Sequence, residues 1–73
     1  MASVIAAIEE MLLRVPYLPV SHIYDSLQRK KLWTDPDITP FLQAHPEHFH
    51  QHPNGAWMLN PERLRLLLPD HRP

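Results

Sequence analysis

The chain contains no cysteine and only one glycine, whereas proline occurs nine times in its 73 residues. Without cysteine it can form neither a disulfide nor a thiolate metal site, which fits a reducing compartment. The scarcity of glycine and the abundance of proline indicate short, stiff connections between elements. A chain of this length has room for one hydrophobic core, so we predict a single domain over residues 1–73.

Long hydrophobic runs are also missing, since none approaches the roughly 20 apolar residues that a membrane-spanning helix needs. The segment from Met1 to Val15 is mostly apolar, but Glu9 and Glu10 within it are atypical of a secretory signal. The sequence therefore predicts a soluble intracellular protein, cytoplasmic or nuclear, with no membrane partner.

Charge of neither sign is in excess, because 7 Lys+Arg oppose 8 Asp+Glu for a formal net charge of −1. This balance argues against a broad basic surface of the kind that binds phosphates. Six histidines are many for this length, and their protonation would carry the formal charge from −1 to +5. The surface field should therefore depend strongly on pH.

The spacing of apolar residues predicts four helices, over residues 2–14, 21–31, 38–45 and 61–68. In the first helix one apolar stripe leaves Glu9 and Glu10 on the other side. Capping chemistry precedes the third and fourth helices, at Thr39-Pro40 and Asn60-Pro61. The apolar stripe of the first helix comprises Val4, Ile5, Ile8, Met11, Leu12 and Val15.

Residues 48–59 predict a two-stranded β-hairpin. The segment 53–55, Pro-Asn-Gly, fits a three-residue loop that begins with a type I turn and ends with a left-handed glycine. In that register Gln51 faces Trp57 and Phe49 faces Leu59, so the apolar residues share one side and can close a core. A two-residue loop would put Phe49 and Leu59 on opposite sides, which disfavours it. The outward side would carry His50, His52 and Met58.

This order of elements resembles the winged-helix superfamily, in which a short stub such as Tyr17-Leu18 pairs with the hairpin. The resemblance implies an α+β fold: a small winged helix with a three-helix core, a two-stranded wing and a short C-terminal helix. The segments 41–49 and 54–59 are similar to the closing half of LOTUS (OST-HTH) domains. Those domains show a Phe-Leu pair, a proline and a phenylalanine ahead of a short hairpin that contains glycine. Members of that family bind RNA or a protein partner such as a helicase.

Basic residues are concentrated at Arg29-Lys30-Lys31, at the predicted end of the second helix. One interpretation is a solvated helix end whose charge complements the helix dipole. The other is a contact with phosphates, which would make binding depend on salt. The adjoining Trp33 either anchors the core or stacks on a base.

The third helix and the hairpin tip offer further candidates for contact with nucleic acid. Gln43 would face outward, and glutamine can pair with adenine, but no Arg or Lys lies between Asp35 and Glu62. We therefore expect this helix to be poor at neutralising phosphates. The remaining candidates are Thr39, His50, His52 and Asn54.

A protein partner is the alternative. Leu64, Leu67 and Leu68 can face the core, which leaves Leu66 on another side of the fourth helix. Together with Met58 on the outward side of the hairpin, Leu66 would offer apolar surface to a partner chain or to a second copy in a homodimer.

Neither a metal site nor a catalytic site is predicted. His48, His50 and His52 would share one side of an extended strand, but cysteine and nearby aspartate are lacking as further ligands. Ser21-His22 and Asp25-Ser26 are sequence neighbours, which on a helix do not face one another as a triad requires. The sequence thus predicts a non-catalytic binding module without cofactor or small-molecule substrate. Nucleic acid, RNA or DNA, is its first expected ligand and a protein its second.

Overall fold

The computed structural model describes residues 3–68. Within that range the chain forms four helices and one two-stranded antiparallel hairpin, so the predicted α+β class is confirmed at this level. None of these helices is long and apolar enough to cross a membrane. The elements are α1 (Ser3–Arg14), α2 (Val20–Arg29), α3 (Thr39–Gln43), β1 (Phe49–Gln51), β2 (Trp57–Leu59) and α4 (Pro61–Leu67).

The hairpin has the predicted register, with Phe49 opposite Leu59 and Gln51 opposite Trp57. The Gly55 N–H donates to the His52 carbonyl at 2.8 Å, and Gly55 has the left-handed φ of 98° that glycine tolerates. The three-residue loop over 53–55 is therefore confirmed. Phe49, Trp57 and Leu59 are each 3% exposed, so the shared apolar side does face the core.

The stub between α1 and α2 pairs with this hairpin at one position. The Leu18 N–H donates to the Trp57 carbonyl at 3.0 Å, and the Trp57 N–H donates to the Leu18 carbonyl at 2.7 Å. Leu18 itself is 6% exposed, so the bridge places an apolar residue against the core. This pairing ties the connection after α1 to β2 and fixes how the hairpin closes the helices.

The core draws on every element except α4, whose residues are at most partly buried. Three expectations about it are wrong. Val15 is 48% exposed and Leu68 44% exposed, because both lie just beyond the ends of their helices. Glu9, expected outside the apolar stripe, is only 6% exposed. The buried apolar residues are Ile8, Leu12, Leu18, Ile23, Leu27, Ile38, Leu42, Phe49, Trp57 and Leu59.

α2 and α3 differ most in extent from the prediction. The predicted range for α2 is 21–31, and the helix begins one residue earlier, at Val20. It also ends two residues earlier, at Arg29, because Lys31 takes a left-handed conformation that ends the helix. α3 is shorter than the predicted 38–45, with Ile38 and Ala44 as its caps. Thr39 does not cap it through its side chain; instead the Asp37 carboxylate accepts from the Thr39 N–H at 3.0 Å.

The start of α4 follows the prediction. The Asn60 side-chain oxygen accepts from the Glu62 N–H at 2.9 Å, and Pro61 occupies the first helical position. The Asn60 amide also donates to the Pro46 carbonyl at 2.9 Å, which ties the start of α4 to the turn before β1. The helix ends at Leu67, one residue before the predicted limit, since Leu68 is extended. The predicted first residue of α1, Ala2, lies outside the described range.

Candidate functional site

The basic cluster, Arg29-Lys30-Lys31, is exposed at the C-terminal end of α2. Its backbone closes the helix in the double hydrogen bond of a Schellman motif. The Leu32 N–H donates to the Leu27 carbonyl at 3.0 Å, and the Lys31 N–H donates to the Gln28 carbonyl at 3.0 Å. Because Leu27 is fully buried, this closure fixes the cluster against the core.

Lys31 occupies the position of that motif where glycine is usual. Its φ of 59° lies in the left-handed region, and it is the one non-glycine residue of the described range with a positive φ. A side chain with a Cβ costs roughly 1 kcal/mol there relative to glycine. The structure therefore holds a lysine where glycine would be more stable.

Lys31→Gly should raise the free energy of unfolding by about 0.5–1 kcal/mol, because glycine adopts the left-handed conformation without strain. Urea unfolding followed by circular dichroism measures the change. Lys30→Gly is the matched control: Lys30 has an ordinary helical φ of −84°, so the same substitution should not stabilise the domain. A lower urea midpoint for Lys31→Gly than for Lys30→Gly would show that the backbone at Lys31 is not strained.

The outward side of α3 carries no cation. Gln43 is exposed and Thr39 half-buried, as the helix alternates between solvent and core. The turn ahead of α3 is acidic, with Asp35 and Asp37 both exposed. Glu47, in the turn after α3, is exposed as well. The surface around α3 is therefore unfavourable for phosphates, as the lack of Arg and Lys predicts.

The hairpin tip is held by its own side chains. The Asn54 side-chain oxygen accepts from the Ala56 N–H at 2.9 Å, and the His52 Nδ1 accepts from the Asn54 N–H at 3.2 Å. The half-buried His52 ring also meets the Tyr17 ring edge-on, with centroids 5.2 Å apart. Only His50 of the predicted tip histidines is exposed, opposite Met58. His52 is thus partly committed to the fold.

Trp33 is half-buried and packs its ring on Phe41, with centroids 5.1 Å apart. Its indole N–H is buried and has no hydrogen-bond partner among residues 3–68. Such a donor costs free energy when it is left unpaired. Of the two interpretations, the geometry favours the core anchor over an open stacking platform.

A polar cluster that the sequence did not predict joins α1, the turn before β1 and α4. Glu9 Oε2 accepts from the His48 Nδ1–H at 2.7 Å and from the Arg63 Nε–H at 2.7 Å, and Glu9 Oε1 accepts from an Arg63 Nη2–H at 3.4 Å. His48 therefore contacts α1 and does not share the outward side of a strand with His50 and His52, which corrects that expectation.

Burial is the largest single influence on the pKa of Glu9 and raises it. The hydrogen bonds and charges of Arg63 and His48 together outweigh burial, so the net pKa of Glu9 lies below its ordinary value. The hydrogen bond to Glu9 raises the pKa of Arg63. Glu9 is consequently favoured in its ionised form, and its hydrogen bonds to His48 and Arg63 link three segments of the fold.

The apolar candidates Met58 and Leu66 lie in different places. Leu66 is 76% exposed on α4, so its predicted outward position is confirmed. The half-buried Met58 lines a shallow groove of about 170 Å³ with residues from α1, the stub and α4, and Leu66 does not belong to it. The other lining residues are Leu12, Leu13, Pro16, Tyr17, Leu59 and Leu64.

Metal ligands are not brought together in the described range. Residues 3–68 contain no group of three or more His, Cys, Asp or Glu side chains placed to hold an ion. His45 uses its Nδ1–H on the Phe41 carbonyl at 2.8 Å, and His48 uses its Nδ1–H on Glu9. These histidines serve the fold through those bonds.

No family model, curated protein or solved structure matches the chain. Function is therefore inferred from the geometry of residues 3–68 and the chemistry of the sequence.

Proposed function

We propose that this chain is a non-catalytic binding module of the winged-helix type that binds the phosphates of nucleic acid, RNA or DNA. The observation that carries the proposal is the exposed basic cluster, in which a lysine occupies a left-handed position. Glycine at position 31 would make the domain more stable, whereas lysine adds a cation to the surface. Strained backbone positions of this kind concentrate at functional sites.

The fold that we propose places this cluster in the helix-turn-helix. In a winged helix, α2 and α3 would form that motif and the β1–β2 hairpin would be the wing. The pairing of Leu18 with Trp57 supports this assignment. The basic cluster then lies at the first helix of the motif, where phosphate contacts orient a protein on a duplex.

The proposed mode is contact with the backbone, without strong selection of bases. Three cations in the cluster give a slope of log affinity against log salt of about −2 to −3. The exposed Gln43, His50 and Asn54 are the remaining candidates for polar contacts, with Thr39 and His52 half-buried beside them. Because α3 has no cation on its outward side, we expect affinities for different sequences to differ little.

Lys30→Glu combined with Lys31→Glu should abolish binding to short duplex DNA, single-stranded DNA and RNA while the helical spectrum is kept. Both side chains are exposed, so the charge reversal leaves the core untouched. Fluorescence anisotropy at two salt concentrations measures affinity and its salt dependence. A wild-type affinity that is micromolar or tighter and falls with salt supports the proposal.

A charge-matched control separates a local site from a general field effect. Arg14→Glu with Arg65→Glu changes the net charge by the same amount, on α1 and α4, and should weaken binding far less. Equal losses in both double variants would remove the cluster from the site. Absence of wild-type binding at low salt to all three ligands would overturn the proposed function.

A protein-contact module is the second candidate, favoured by the groove at Met58 and by the exposure of Leu66. Large exposed apolar residues are common at interfaces between chains. The neutral net charge fits this role better than it fits nucleic acid. A negative anisotropy titration would move the assignment to this candidate.

A further inference from the structure

The outward side of α1 carries two exposed apolar residues, Ala6 and Leu13, beside the charged Glu10 and Arg14. Ala6, Glu10 and Leu13 are exposed along it, and the 49% exposed Tyr17 follows shortly after the helix ends. Their spacing of four, three and four residues is that of the contact seam between two paired helices. No other element of the described range covers this seam, since all three helical residues are exposed.

Two shallow depressions flank Leu13, which is 40% exposed and forms the ridge between them. The first lies over the small side chains of Ala6 and Ala7 and is bounded by Leu67 of α4. The second is the groove that contains Tyr17 and Met58. A ridge beside a depression is a shape that can fit a copy of itself turned by a two-fold axis.

The charges on this side are also self-complementary. Glu10 and Arg14 lie one turn apart, with side chains 64% and 77% exposed, and an Arg14 Nη2 to Glu10 Oε2 distance of 3.8 Å. If two α1 helices cross antiparallel on their outward sides, about an axis at the level of residue 12 along the helix, each Glu10 faces the Arg14 of the other copy. The same register puts Tyr17 over the depression at Ala6 and Ala7, where small side chains leave room for a ring.

We propose that the outward side of α1 is a homodimer interface, in which two copies pair antiparallel across a two-fold axis. The partner is a second copy because both the ridge-and-depression shape and the Glu10–Arg14 pair match themselves. This inference names a surface and a partner beyond the nucleic-acid site, and it does not depend on that site.

The small area of the proposed interface predicts a weak dimer. A specific interface of about 1,000 Å² takes about 500 Å² from each copy, a small share of the 5188 Å² that one copy exposes. α1 has only 12 residues, so the contact is at the small end of specific interfaces. We expect a dissociation constant of about 10–100 µM.

Complementary charge reversals test the proposal. Glu10→Arg leaves one copy with two cations on the seam, and Arg14→Glu leaves another with two anions. Each variant alone should sediment as a monomer, whereas an equimolar mixture should form a heterodimer at least as tight as the wild-type dimer. Neither variant keeps the Glu10–Arg14 pair within its own helix, so restored helix stability cannot explain recovery in the mixture.

Sedimentation equilibrium up to about 0.5 mM, well above the expected dissociation constant, is the measurement. Circular dichroism and thermal unfolding confirm that each variant is folded. Leu13→Asp should abolish the dimer. Leu66→Asp introduces the same carboxylate on α4, outside the proposed interface, and should leave the dimer intact. A monomeric wild type, or a mixture that stays monomeric, would overturn the proposal.

Anisotropy with nucleic acid keeps the two proposals apart. Lys30→Glu with Lys31→Glu should leave the dimer unchanged. A monomeric wild type that still shows salt-dependent binding to nucleic acid would reject only the interface. A dimer that fails to bind nucleic acid would reject only the proposed function.

Discussion

Trp57→Ala should leave most of the protein unfolded at room temperature. Trp57 is 3% exposed and lies on β2, opposite Gln51 and bridged to Leu18 through its backbone. Deleting a buried tryptophan costs about 3–5 kcal/mol through lost contacts and the cavity left behind. A domain of this size has only about 3–5 kcal/mol of net stability, so one such loss removes it. Loss of the near-ultraviolet spectrum and of a cooperative urea transition would show this.

Trp33→Ala is the matched control, because it deletes the same side chain from a half-buried site. It should destabilise less, since part of the Trp33 surface is already in water and its buried N–H makes no hydrogen bond within residues 3–68 that could be lost. A folded Trp57→Ala with a midpoint above that of Trp33→Ala would contradict the hierarchy. It would also mean that the hairpin closes the core less tightly than its burial indicates.

The hairpin could be predicted from the sequence because everything that specifies it is local. Proline, asparagine and glycine over 53–55 select one loop type, and the alternation of residues around them then fixes the register. The cap at Asn60 is local in the same way, since the side chain bonds a backbone group two residues ahead. Such features depend on neighbours along the chain, and sequence patterns report neighbours.

The end of α2 could not be predicted in that way. Glycine usually marks a left-handed helix end, but here a lysine holds that conformation. What fixes it is the closure between Leu32 and the buried Leu27. Packing of Leu27 and the helix-closing hydrogen bond thus override the local preference of Lys31. The residue type at position 31 does not indicate that the helix ends there.

The burial of Glu9 and its polar contacts could not be predicted from the sequence either. Its partners His48 and Arg63 lie 39 and 54 positions away, so periodicity alone assigned the carboxylate to solvent. A weaker signal was present, because Glu9 lies between Ile5 and Leu12 at helical spacing and therefore near the buried side of α1. By contrast, the outward position of Leu66 was predicted correctly because it depends only on the spacing within one short helix.

Arg63→Met should destabilise the domain more than Glu9→Leu, although both break the same ion pair. Removing Arg63 leaves the buried Glu9 carboxylate with His48 as its one remaining side-chain donor among residues 3–68, a loss of about 2–3 kcal/mol. Removing Glu9 leaves groups that water can reach, since the His48 and Arg63 side chains are 20% and 32% exposed. Leucine also fills a similar volume, so Glu9→Leu should cost about 1 kcal/mol or less. Urea unfolding near neutral pH compares the two.

The variants Arg14→Met and Glu10→Leu are the control pair, because Glu10–Arg14 is an exposed ion pair on the same helix. Both should change the free energy of unfolding by less than about 0.5 kcal/mol, as is usual for exposed pairs. If Glu9→Leu proved as damaging as Arg63→Met, the loss would come from the bond network and not from a stranded charge.

The same cluster predicts the acid limit of the fold. The folded-state pKa of Glu9 lies below 4.5, its ordinary value, so the unfolded chain takes up a proton at higher pH than the folded one. The stabilisation is therefore complete above that ordinary value and is lost as the pH falls through the folded-state pKa.

Stability measured from about pH 7 to about pH 3 should fall less steeply for Glu9→Leu than for wild type. Arg63→Met removes the strongest pKa-lowering contact while burial still raises the pKa of Glu9, so the folded-state pKa moves towards the ordinary value and the acid-induced loss of stability should be smaller than in wild type. An identical acid profile for all three proteins would mean that the pKa of Glu9 is the same in the folded and unfolded states.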